Sequence, residues 1–132
     1  MAEAFARHYG SDVIVPASAG THPAMGIARD TKKVMKEKDI DLSAHFPKSV
    51  SHMARIPFDL VINMSGSRMP ESLSARATVV DWAVDDPIGL KYEGHCEVRD
   101  ELEKLVMKLI LDLRSEIAAP KFRGQGSGKL EL

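Results

Sequence analysis

"FDLVINM", residues 58–64, is the clearest strand signal in the chain. Leu60, Val61 and Ile62 follow one another without the polar alternation of a half-exposed strand, so the stretch suits a strand covered on both faces. Strands of that kind belong to parallel sheets with helices above and below. Two weaker signals flank it. "DVIVPASAGT" is a β-branched run over Val13–Ala17 that ends in a small-residue turn, and Pro16 in it confines this strand to a sheet edge. "ATVVDW", residues 77–82, reads as a further short strand.

Helical periodicity separates these strands. In "MAEAFARHYG", residues 1–10, Ala2, Phe5, Ala6 and Tyr9 fall on one face while Glu3, Arg7 and His8 fall elsewhere, and Gly10 is read as the helix stop. No Ser, Thr, Asp or Asn stands ahead to cap the first-turn amides. A second helix is expected from Pro23 to about Lys38, and "DIDLSAHFPKSV" is expected to be loop and then a short helix. From Glu93 to Ala118 a stripe of Val98, Leu102, Leu105, Val106, Leu109, Ile110, Leu113 and Ile117 marks a long amphipathic helix. Residues 120–132 carry Pro120 and three glycines and are expected to be a flexible tail. Strands alternating with helices give an α/β domain over 1–119: three layers, with a mainly parallel sheet flanked by helices.

Composition narrows the function. The 132 residues carry 18 basic and 19 acidic side chains, a balance that gives no electrostatic argument for a nucleic acid or an anionic membrane as partner. No apolar run reaches spanning length and no secretory leader is evident, so a cytoplasmic protein is expected. The single Cys96 can form no internal disulfide, and the five histidines show no paired ligand spacing, so no metal or other cofactor is expected.

In their order along the chain, "MAEAFARHYG", "ASAGT", "DIDLSAH" with Lys48 following, "DLVINM", "WAVDDPIG" and "VRDELEKLV" resemble the low-molecular-weight protein tyrosine phosphatases and, more closely, their thioredoxin-coupled arsenate reductase cousins. The resemblance covers nearly everything except the glycine-rich tail. It implies a phosphotyrosine phosphatase I-like fold and places a central strand and a Cys-x5-Arg-Ser loop directly ahead of the first helix. In that family the Cys thiolate attacks, the amides of the loop hold the oxyanion, and a distant Asp protonates the leaving group. The resemblance puts Asp86 of "DDPIG" in the place of that general acid, and Ser18 and His45 in the places that brace the loop.

Met1 falls just after this signature, so the sequence as it stands lacks the first strand and the nucleophilic loop. Cys96 does not substitute, because "EVRDEL" follows it without the glycines or the correctly spaced Arg that an anion loop needs. The places of the two redox-relay cysteines carry Met64 and, less closely, Met69. The expectation is therefore a truncated, catalytically inactive relative in which Asp86, Ser18 and His45 are vestiges. The alternative is a functional phosphatase or arsenate reductase whose first strand and Cys loop are missing only from this reading of the gene. A redox sensor acting through Cys96 is a third possibility. The missing strand would lie between the counterparts of Val13–Ala17 and Leu60–Met64, leaving an open apolar edge, so a homodimer or larger homo-oligomer is expected to cover it.

Overall fold

The computed structural model describes residues 1–20, 26–53, 56–69, 71, 77–87, 90–118 and 128–131, with backbone alone at 52, 118 and 128–131. The elements run α1 (Ala2–Gly10), β1 (Ile14–Ala17), α2 (Arg29–Lys36), α3 (Val50–Met53), β2 (Leu60–Asn63), β3 (Thr78–Asp81), α4 (Tyr92–Ala118) and β4 (Gly128–Glu131). All strand pairs are parallel, in the order β1-β4-β2-β3.

The continuous apolar run of β2 is explained by the two layers that bury it. Ile62, 3 % exposed, packs into the main core with Phe5 of α1, Val34 and Met35 of α2, and Val106 and Ile110 of α4. Val61, 1 % exposed, faces the other way and packs with Met53 of α3 and Phe58. Helices thus flank a parallel sheet, and the edge position expected for β1 from Pro16 is observed. α4 places Val98, Leu102, Val106 and Ile110 at successive four-residue steps along the core, whereas Ile117 is largely exposed. Arg114 ties α4 to the end of α1, donating to both carboxylate oxygens of Asp12 at 2.8 and 2.9 Å and to the Tyr9 carbonyl at 2.9 Å.

Two expectations change. α2 begins at Arg29, with Ala28 extended ahead of it; the expected start at Pro23 and the stretch around it, His22 included, lie outside the described residues. Gly10 does not stop α1 by adopting a left-handed conformation but is its last helical residue, followed by Ser11 in right-handed geometry.

The third difference concerns the sheet's centre. Gly128–Glu131, read from the sequence as part of a flexible tail, forms β4 between β1 and β2, while 120–127 and Leu132 lie outside the described residues. Ile14–Ala17 pair with Gly128–Glu131, and Leu60 and Val61 pair with Leu130 and Glu131. The gap expected between β1 and β2 is real in position, but a segment of the same chain occupies it. The open β2 edge on which the homodimer expectation rests is therefore covered along Leu60 and Val61 within one chain. The segment was hard to foresee because four residues next to glycines carry little strand signal of their own, and the pairing depends on a slot built by distant elements.

Candidate active site

A cavity of about 560 Å³ opens at the amino end of α1, on the side of the sheet where β1 and β2 end. That is the edge at which open parallel α/β sheets bind ligands. Ser18 enters it from the end of β1, Met64 from the end of β2, and Asp85 and Asp86 from the loop after β3. Ile27, Val98 and Leu102 supply an apolar wall. Met1 stands at the N-cap of α1 with no side-chain cap hydrogen bond, and the positive end of the helix dipole lies beside the cavity.

Beside the cavity lies a cluster built on Glu3. Its side chain is 9 % exposed. The Ser18 hydroxyl donates to Oε1 at 2.6 Å and Arg7 Nη2 donates to Oε2 at 3.3 Å. His45 Nδ1 lies 3.4 Å from Oε2, and Lys48 Nζ lies 3.8 Å from Oε1. Burial alone would push the Glu3 carboxyl up, but the Ser18 hydroxyl, Lys48, Arg7 and His45 together hold it below the usual carboxylate range. Glu3 and Ser18 also line a smaller recess of about 130 Å³ whose far side is formed by Leu42, His45 and Phe46.

The structure thus brings Ser18 and His45 together on one carboxylate and places Asp86 in the adjoining cavity. Met64 lines that cavity, while Met69 packs against the Val61 cluster on the other face of the sheet. Cys96 stands away on α4, near Tyr92 and Arg99. Arg99 is held by Asp100 and Glu37, each at 2.9 Å, and by the Val34 carbonyl at 3.1 Å. It is a structural tie between α2 and α4, not an anion ligand. Among the described residues no group of three His, Cys, Asp or Glu side chains could hold a metal, and no helix is long and apolar enough to cross a membrane.

Sequence reasoning missed Glu3, placing it off the apolar face of α1. A signal was present. Glu3, Ala6 and Gly10 stand at i, i+3 and i+7, one side of a helix, and all three are buried.

A parallel α/β sheet, the amino end of α1 and the loop carrying Asp85 and Asp86 thus meet at one cavity. The chain belongs to the low molecular weight phosphotyrosine protein phosphatase family, whose model matches residues 1–119. It is 37 % identical over 92 residues to a protein of Halobacterium salinarum named "Putative arsenate reductase", spanning 70 % of this chain but only 64 % of that relative's length. It is 30 % identical over 110 residues to arsenate reductase 1 of Bacillus cereus, covering 82 % of this chain and 81 % of the relative. A solved arsenate reductase in its phosphate-binding state superposes with a TM-score of 0.75 at 25 % identity, over 85 % of this chain and 86 % of that one.

These matches correct the expectation of an inactive protein. The family model extends across the domain and the relatives carry enzyme names, so the findings point to an enzyme.

Proposed function

We propose that the protein is an enzyme acting on a tetrahedral oxyanion, with hydrolysis of a phosphate monoester as its reaction. The observation that carries the reading is the convergence of the amino end of α1, Ser18 and Asp86 on one cavity. The helix end offers amides and a positive dipole to the equatorial oxygens of the anion. Asp86, which lines the cavity, would deliver a proton to the leaving oxygen, the role the family resemblance gives it. The family resemblance assigns the attacking thiolate to a cysteine loop ahead of this helix, and Ser18 and His45 meet on Glu3 at the same corner.

A second reading, arsenate reduction, is favoured by the names of the relatives. Against it stands Met64, which lines the cavity where the resemblance expects a relay cysteine. A phosphatase needs one cysteine, whereas a reductase that passes its oxidising equivalent to a disulfide needs more.

The test is turnover by protein made from the full reading frame of the gene. Hydrolysis of p-nitrophenyl phosphate is expected, with Asp86→Asn lowering kcat by about 10²–10⁴-fold. Thioredoxin-coupled arsenate reduction without phosphatase activity would select the second reading, and the absence of both activities would reject the proposal.

A further inference from the structure

Glu3 is a carboxylate that the proposed chemistry does not use, buried beside a site meant for an anion. Standing alone there it would repel the ligand and lose its own hydration. Its surroundings offset both effects. Arg7 reaches it from one turn further along α1, Ser18 from the end of β1, and His45 and Lys48 from the loop ahead of α3. Lys48 is itself oriented, donating to the Phe46 carbonyl at 3.3 Å with its ammonium 4.7 Å from the centre of the Phe46 ring.

The two loops that supply these donors are also joined to each other. Gly20 N–H donates to the Lys48 carbonyl at 2.8 Å, and Val50 N–H donates to the Gly20 carbonyl at 3.0 Å. The rim therefore closes on itself, running from α1 through Glu3 to Ser18, on to Gly20, across to Lys48, and back to Glu3. Because Glu3 and Ser18 line both the large cavity and the smaller recess, this ring is the wall between them.

We infer that Glu3 is a positioning residue, a single carboxylate that accepts hydrogen bonds from Ser18 and Arg7, holds His45 and Lys48 at 3.4 and 3.8 Å, and so fixes the two loops beside the amino end of α1. The consequence for anion affinity rests on the oxyanion site proposed above; the fixing of the loops does not. Breaking one member of a buried hydrogen-bonded charge cluster leaves its partners uncompensated, so the loops should open locally before the core does.

Glu3→Gln tests this because the amide keeps the shape and an acceptor for Ser18 but removes the charge that Arg7 and Lys48 answer. Amide hydrogen exchange at Gly20 and Val50 should quicken by about tenfold or more, while Val106 in the core keeps its protection. Glu3→Asp should fall between Gln and the wild type. Should Glu3→Gln fail to fold, Ser18→Ala should quicken the same two amides to a smaller degree. Unchanged exchange at Gly20 and Val50 in these variants would overturn the inference.

Inorganic phosphate serves as the probe of the link to the site. Removing a negative charge next to an anion should by itself tighten binding, whereas loss of positioning should weaken it. Weaker phosphate binding in Glu3→Gln is expected, and tighter binding would overturn the link. If the wild type shows no saturable phosphate binding, the proposed oxyanion site fails and exchange alone decides the positioning role.

Discussion

Gly10 and Ile110 approach so closely that a Cβ added to Gly10 would stand 2.7 Å from both Cδ1 and Cγ1 of Ile110. The glycine is a notch that lets α1 pack onto α4. Gly10→Ala therefore sets two effects against each other. Helix propensity alone favours Ala by about 0.5–1 kcal/mol, but overpacking a filled core costs about 1–3 kcal/mol. Net destabilisation is expected in urea unfolding, with partial recovery when Ile110→Val is added. A more stable Gly10→Ala protein would show that the two helices do not touch there.

Asp39 sits at φ 59°, in the left-handed region that L-residues other than Asn and Asp visit at a penalty. The reason is the end of α2: Ile40 N–H donates back to the Met35 carbonyl at 3.1 Å and Asp39 N–H to the Lys36 carbonyl at 2.9 Å, the paired bonds of a left-handed helix cap. Asp39→Gly is expected to raise stability by about 0.5–1 kcal/mol, and Asp39→Val to lower it by about 1–2 kcal/mol. Melting temperatures in the reverse order would remove this cap from the account.

How far the sequence could be read depended on whether a signal was local. The parallel sheet was legible in Leu60–Ile62 because burial on both faces forbids polar alternation, and the α4 stripe was legible because its four buried residues repeat along one helix face. Gly10 misled because a helix-ending glycine and a packing glycine look alike until Ile110, one hundred residues on, is placed against it. The burial of Glu3 was legible from its helix spacing with Ala6 and Gly10, but its role was not: its partners come from positions 7, 18, 45 and 48, and only the fold assembles them. Ser18, His45 and Asp86 were legible through the family resemblance and not through their own spacing.

The Glu3 carboxyl, held below its usual value of 4.5, makes stability depend on acid. A depressed folded-state pKa contributes stability that is present above the unfolded-state value and lost as pH falls through the folded-state value. Unfolding free energy should therefore decline once pH drops below about 4.5. Asp12, lowered by Arg114, and Glu37, lowered by the Tyr92 hydroxyl and then Arg99, act in the same direction. Glu3→Gln removes one of these contributions. It should cost about 1–3 kcal/mol at pH 7 and show a shallower acid decline than the wild type. Parallel pH curves for the two proteins would mean that the Glu3 carboxyl has the same pKa in the folded and unfolded chain.

The sheet holds together only through β4, since β1 and β2 pair with it and not with each other. Leu130 stands opposite both Pro16 and Leu60. Leu130→Pro removes its backbone N–H from the middle of the sheet and introduces a ring among paired strands, which should lower stability by about 3 kcal/mol. Cutting the chain after residue 119 should do more, because Val61 and Ile62 would then border an unpaired apolar edge, and such an edge recruits another chain. Light scattering should accordingly give the 14.5 kDa mass of one chain for the 132-residue chain, and dimers or aggregate for the shortened one. A 132-residue chain that is already dimeric, with a shortened form of equal stability, would show that a second copy completes the sheet and that β4 contributes nothing to it. The Leu130→Pro protein separates these cases, because it weakens the fold only if Gly128–Glu131 lies between β1 and β2.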